Sequence, residues 1–285
     1  MASTQKSLAL MQLMRLDRPI GIYLLMWPTL WSLFLSSEGA PPLNILLIFL
    51  AGVVVMRSAG CVINDYADRN VDGQVERTSQ RPLAIGTVSS REALILFGCL
   101  ITVALVLVLL LNWQTIALSV GALILAASYP FMKRYTHYPQ VVLGAAYGWA
   151  IPMAAMAITE TVPLWAWLLF LANVCWTIAY DTYYAMVDRD DDLKVGIKST
   201  AIAFGRYDLL IISLLQLMTL CILGWVFSIN NLNHYAYLGL VGAFIGFAII
   251  LWKARGRDKT ALFNGFLNNH YIGAIIWLGI VVGLL

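Results

Sequence analysis

Nine of the 15 acidic residues in this 285-residue chain fall in two short stretches, 65–76 and 181–192. The first reads N-D-Y-A-D-R-N-V-D from Asn64 to Asp72, and the second Y-D-T-Y-Y-A-M-V-D-R-D-D-D from Tyr180 to Asp192. Asn64, Asp68 and Asp72 step by four. Asp181, Asp188 and Asp192 step by seven and four. If each stretch continues the helix before it, each set lies on one helical face. Like charges stacked this way repel, and a dication between them reverses the sign. Oxygen donors with no His or Cys among them suit magnesium rather than zinc. Magnesium takes one or two protein carboxylates, keeps waters and binds phosphate oxygens. Two carboxylate faces converging on one diphosphate fit that chemistry. Solvated charge is the ordinary reading of an acidic run, and for Asp190 and Asp191 taken singly it stands as well as any other. The whole set argues otherwise, because it recurs, keeps its rhythm and abuts long apolar runs.

A diphosphate also needs cations. Arg69, Arg77 and Arg81 follow the first cluster, and Lys194 and Lys198 the second. Arg offers a bidentate fork and Lys a point charge. Lys133 and Arg134 stand in Y-P-F-M-K-R-Y-T-H, beside an apolar run, where one of them can pair with an acceptor carboxylate. His137 in the same stretch reads as structural. Tyr66, Tyr129, Tyr180, Tyr183 and Tyr184 gather at the same level. Interfacial aromatic belts explain many such residues. The π faces of Tyr180 and Tyr184 also suit an allylic cation.

The elements that position these groups are membrane helices. The chain is 61% hydrophobic and 12% charged, with mean hydropathy +0.80, against about 25% charged residues in soluble domains. Lipid cannot satisfy free backbone groups, so each long apolar run is expected to be helical. Spans are expected at 20–36, 43–63, 91–111, 114–132, 139–158, 163–181, 207–229, 235–253 and 266–284. The pattern at 1–18 is not that of a cleaved leader. With the N-terminus inside, all 18 Lys and Arg fall on the cytoplasmic side, as the positive-inside rule requires. The connections 64–90 and 182–206, after the second and sixth spans, are long and charged, which marks them as functional. The same spacing recurs 124 residues later, from Asn64–Asp68 to Asp188–Asp192. It suggests one domain, 1–285, built of two four-helix halves at about 15–134 and 135–255 plus a ninth helix. The four cysteines show neither a disulfide nor a zinc pattern. The net charge of +3 calls for no nucleic-acid partner.

At these residues the chain resembles the UbiA superfamily of intramembrane prenyltransferases. Its two motifs, N-D-x-x-D-x-x-x-D and D-x-x-x-D, match Asn64-Asp68-Asp72 and Asp188-Asp192. R-L-D-R-P-I-G from Arg15, L-L-M-W-P-T-L-W from Leu24 and the long stretch from Pro130 bring it nearest to the branch acting on 4-hydroxybenzoate in bacterial ubiquinone synthesis. The resemblance implies an all-α membrane bundle of about nine helices around a central cavity with a cytoplasmic cap, in the bacterial inner membrane. It implies a polyprenyl diphosphate donor, a 4-hydroxybenzoate acceptor, a lipid surround and two magnesium ions. Asn64, Asp68, Asp72, Asp181, Asp188 and Asp192 would hold the metal, with Asp68, Asp72, Asp188 and Asp192 catalytic. Arg77, Arg81, Lys198, Tyr180 and Tyr184 would meet the donor, and Arg134, with Lys133 beside it, the acceptor carboxylate. The base that takes the ring proton, the prenyl length and any protein partner stay open. A different acceptor within the family, an ion-coupled transporter and an ion-binding scaffold are the competing readings.

Overall fold

The computed structural model describes residues 2–70, 72–74 and 78–285, with the side chains of 2–4 and 74 left aside. Its helices are α1 (Ala2–Leu13), α2 (Ile20–Ser36), α3 (Leu43–Asp68), α4 (Ser90–Leu109), α5 (Trp113–Tyr135), α6 (Pro139–Gly148), α7 (Ala150–Thr159), α8 (Leu164–Val195), α9 (Thr200–Phe204), α10 (Asp208–Ile229), α11 (Ala236–Ala254) and α12 (Lys259–Leu284). Among the described residues, eight segments are long and apolar enough to cross a membrane, and α2 makes a shorter ninth. The expected spans are all present. The chain is a multi-pass, all-helical membrane protein.

Prolines explain the irregular spans. Pro152 has no N–H for the carbonyl four residues back, at Gly148. There the fifth span breaks into α6 and α7. Pro28 and Pro130 lie inside α2 and α5 without ending them.

The core gathers on α8. Trp176 donates to Asn269 Oδ1 at 3.0 Å, and Asn269 donates to Gly265 O at 2.7 Å. Trp31 of α2 lies tilted against Trp176, ring centroids 5.3 Å apart, and donates to Gly273 O at 3.0 Å. The bonds tie α2, α8 and α12 where a free polar atom would be costly. α11 lies against α12 through Gly239 and Gly279. A Cβ on Gly239 would come within 2.8 Å of Gly279 Cα, the close approach that small residues permit between membrane helices.

Two elements differ from expectation. The stretch 182–206 is largely helix. α8 runs 32 residues from Leu164 to Val195, about 48 Å, and ends at Gly196 with φ 72°. Residues 2–13 form α1, which packs Ala9 and Leu13 against Val62, Val88 and Ala93 beside the first acidic cluster. Lys6 fastens it there, donating to Thr87 O at 2.9 Å and Glu92 Oε2 at 2.6 Å. Glu92 closes a capping box with Ser89 at the start of α4.

Candidate active site

A cavity of about 1250 Å³ occupies the centre of the bundle and takes in both acidic clusters. Its mouth carries Arg15 and Arg18, then Thr78, Gln80, Arg81 and Pro82, and Ile197 to Ser199. These come from the N-terminal segment and both charged connections, so the expected cap over the mouth is present. Its deeper walls are apolar, from Ile48 and Val53 of α3, Leu105 and Val108 of α4, and Val120 and Leu123 of α5. Leu105, Val120 and Leu123 are more than half exposed, because α4 lies along α3 and touches α5 only sparsely. The cavity therefore opens sideways between α4 and α5.

Asn64, Asp68, Asp72, Asp181, Asp188 and Asp192 all line this cavity. α3 carries Asn64 and Asp68 but stops at Asp68. The unbroken ladder to Asp72 is thus corrected, since Asp72 begins a 3-10 turn, Asp72–Gln74. Its carboxylate is still brought back to the cavity by Arg81, 3.0 Å away. Arg81 also lies 2.9 Å from Asp65, and Arg15 reaches Asp65 at 2.8 Å. Lys133 pairs with Asp68. Asp65, Asp68 and Asp72 are all at least 95% buried, so charges this close need these cations. At Asp72 burial pushes the carboxyl up, against the pull of Arg81. On α8, Asp181, Asp188 and Asp192 share the cavity face, as the seven-and-four spacing predicts.

Lys133, Arg81, Lys198, Tyr180 and Tyr184 also line the cavity. The Lys198 backbone N–H donates to Lys133 O at 3.0 Å, and its Nζ to Tyr135 O at 3.3 Å. This seats the second connection on the end of α5. Tyr184 packs on Phe266 at 4.9 Å between ring centroids. Arg77 lies outside the described residues. Arg134 is not brought to the cavity: it is exposed, absent from the lining, and donates to Ala67 O at 3.0 Å. Lys133 lines the cavity, whereas Arg134, about 100° further round α5, is exposed outside it.

Three further charged residues that sequence reasoning did not place at the site line this cavity. Arg15 and Asp65 form part of the mouth. Arg57 is the third; the topology count placed it among cytoplasmic charges, but it sits within α3 and lines the cavity. It donates to Cys61 Sγ at 2.6 Å, its Nε is buried without a partner, and Tyr147 lies 5.9 Å away. Tyr129 and Tyr184 share its surroundings. No carboxylate pairs with it among the described residues. Gly21 of α2 leaves it room, since a Cβ there would collide with the guanidinium. The available signal was an arginine inside the apolar run 43–63, a functional candidate by default.

The donor set fits magnesium. It is all oxygen, lines one cavity and stands beside cations able to meet phosphate. Among the described residues no three His, Cys, Asp or Glu side chains enclose an ion by themselves. That suits a metal whose remaining ligands are water and phosphate.

An all-helical membrane bundle with an acidic and basic mouth above an apolar, laterally open chamber defines an intramembrane enzyme for amphiphilic diphosphates. The chain belongs to the UbiA prenyltransferase family, whose model matches residues 25–270. It is 56% identical to the 4-hydroxybenzoate octaprenyltransferase of Cronobacter sakazakii, over 98% of this chain and 97% of that one. It is 59% identical to the protein of that name from Pseudoalteromonas atlantica, over 94% of each. Among solved structures it superposes on a UbiA homolog from Aeropyrum pernix with TM-score 0.81 and 26% identity, covering 92% of this chain and 98% of that one.

Proposed function

We propose that this chain transfers a polyprenyl group from polyprenyl diphosphate to the ring of 4-hydroxybenzoate, ortho to the hydroxyl. The products are 3-polyprenyl-4-hydroxybenzoate and diphosphate, and the reaction serves ubiquinone synthesis. The observation that carries this reading is near-full-length identity of 56% and 59% to proteins named for that activity. A UbiA homolog from Archaeoglobus fulgidus, 19% identical with TM-score 0.71 and covering 95% of this chain and 99% of that one, is bound to GPP and Mg2+. That supports magnesium as the cofactor, two ions in our reading. The protein sits in the bacterial inner membrane with its N-terminus and cavity mouth cytoplasmic.

Asn64, Asp68, Asp72, Asp181, Asp188 and Asp192 would hold the metal. When bound, magnesium neutralises diphosphate charge and so makes it a better leaving group. Arg81, Lys133 and Lys198 add fixed positive charge around the donor's phosphate oxygens. The allylic carbon–oxygen bond breaks, its electrons leaving with the diphosphate. The faces of Tyr180 and Tyr184 meet the cation that remains. The ring carbon ortho to the hydroxyl bonds to that carbon and then loses its proton. Apolar walls seat the polyprenyl tail and keep water from the cation. Arg57 replaces Arg134 as the residue for the acceptor carboxylate. The roughly 16 Å of helix between Arg57 and Asp68 can hold a diphosphate, the allylic carbon and one aromatic acid end to end.

The test is incubation of purified protein in lipid with 4-hydroxybenzoate, a polyprenyl diphosphate and magnesium, read by mass spectrometry. Prenylated acid should form and disappear with EDTA, Asp68→Ala or Asp188→Ala. Folded wild type that makes no product across several donors and acceptors removes the reading.

A further inference from the structure

A second cavity, of about 550 Å³, lies between the mouth ends of α11 and α12. α12 divides it from the catalytic chamber: Phe263 and Phe266 face the chamber, while Thr260, Asn264 and Asn268 line the second cavity. Those three step by four and share one face. Lys253 and Arg255 reach the same space from the end of α11. None of these five side chains has a hydrogen bond or ion pair among the described residues, and Arg255 meets only the Trp252 ring, 4.8 Å away. The one carboxylate present, Asp258, is already used, accepting from Ala261 N at 3.0 Å to cap α12.

Position says what such a site receives. Trp252 is 60% exposed, as aromatic residues at a membrane interface are. Asn268 lies nine residues into α12, about 14 Å along its axis. A primary amide at that depth is costly unless a polar group comes to meet it. Exposed apolar side chains of α11, Ile245 and Ile249, run on from the cavity along the lipid-facing surface. The groove is thus cationic at the interface, amide-lined below it and apolar beyond.

We propose that this cavity binds the headgroup of an anionic phospholipid. Its phosphate oxygens lie between Lys253 and Arg255, the ester carbonyls deeper against Asn264 and Asn268, and the acyl chains along α11. Positive-inside charge alone accounts for Lys253 and Arg255 but not for the amides, and the test turns on that difference.

The test compares wild type, Lys253→Gln/Arg255→Gln and Asn264→Leu/Asn268→Leu in phosphatidylglycerol and in phosphatidylcholine nanodiscs. Melting temperature and lipid retained in native mass spectrometry are read, with prenyl transfer as the check on folding. Wild type should retain phosphatidylglycerol and melt higher in it. Lys253→Gln/Arg255→Gln should bind it about tenfold or more weakly, as loss of charge-assisted hydrogen bonds requires, and Asn264→Leu/Asn268→Leu about fivefold or more weakly, as loss of two neutral ones requires. Equal effects of the two lipids, or undiminished retention by the asparagine variant, overturn the proposal. If soluble glycerol phosphate protects as well as the lipid, the ligand is a free phosphate and the lipid assignment is wrong.

Discussion

Replacing Arg57 with Met removes a half-buried guanidinium while keeping most of its volume. Removing one partner of a buried, hydrogen-bonded charge pair costs about 2–5 kcal/mol. The chamber here opens at the mouth and at the side, so the lower part of that range applies, about 2–3 kcal/mol. At 1.36 kcal/mol per decade, that is roughly a 30- to 160-fold loss of kcat/KM for 4-hydroxybenzoate. Steady-state kinetics with product read by mass spectrometry measures it. The donor KM should not move, because Arg57 lies deep to the acidic mouth. Phenol, which lacks the carboxylate, should be prenylated by Arg57→Met no worse than by wild type. Stability should change in the opposite sense to activity. Arg57 is half-buried, its Nε is enclosed without a partner, and no carboxylate pairs with it among the described residues, so losing its charge should leave the melting temperature equal or raise it. A loss below about threefold with 4-hydroxybenzoate, or an equal loss with phenol, would refute the assignment.

Arg134→Ala should leave the acceptor KM unchanged and cost at most about 1 kcal/mol in thermal melts, since its partner is an exposed backbone carbonyl. Gly21→Ala should lower acceptor kcat/KM by displacing Arg57 and should add nothing in the double variant with Arg57→Met, as a shared mechanism demands. Lys133→Met should raise the donor KM more than the acceptor KM in the same assay, because Lys133 stands at Asp68 in the mouth. Asp208→Asn should destabilise by about 3 kcal/mol in thermal melts, the low end for a broken buried pair. Asp208 is fully buried between Arg189, 2.6 Å away, and Arg257, 2.7 Å away and 43% exposed. Because Arg189 adjoins Asp188, the half-saturating magnesium concentration should rise with it.

The helices were legible because lipid leaves the backbone one solution, and run length with basic-residue placement then sets the spans. The acidic sets were legible because chemistry and helical period coincide: Asp181, Asp188 and Asp192 stayed on one face because α8 continues through them. Asp72 shows the limit. Four-residue spacing carried no sign that α3 ends at Asp68, nor that Arg81 brings Asp72 back. Arg134 and Lys133 are neighbours of one charge type, and only the orientation of α5 against the cavity separates them. Arg57 was visible but assigned to topology, because any Lys or Arg satisfies that count. Its depth within an apolar run was the stronger signal. α1 was not legible at all. Its residues are mixed, and its helix is fixed by packing on Val62 and Val88 and by the Lys6–Glu92 pair.

The ion pairs at the mouth answer an electrostatic difficulty in the sequence. A mouth lined only by carboxylates would repel a diphosphate before any metal arrived. Asp65, Asp68 and Asp72 instead stand against Arg15, Arg81 and Lys133, so these six groups carry no net charge. Buried pairs of this kind are weak evidence for stability, because desolvation offsets most of the attraction. Their arrangement makes sense as an exchange. On the proposed reading each cation would release its carboxylate to meet a phosphate oxygen, and the freed carboxylates would be available to hold the metal. Charge is then rearranged without any group being left bare in the interior. The same logic separates Arg57 from the mouth cations. Among the described residues it has no carboxylate to leave, so a carboxylate brought by the acceptor would be its first full partner. On the proposed reading, recognition of the acid would then lie deeper than the ion-paired mouth, since Arg57 precedes Asp68 by about three turns of α3.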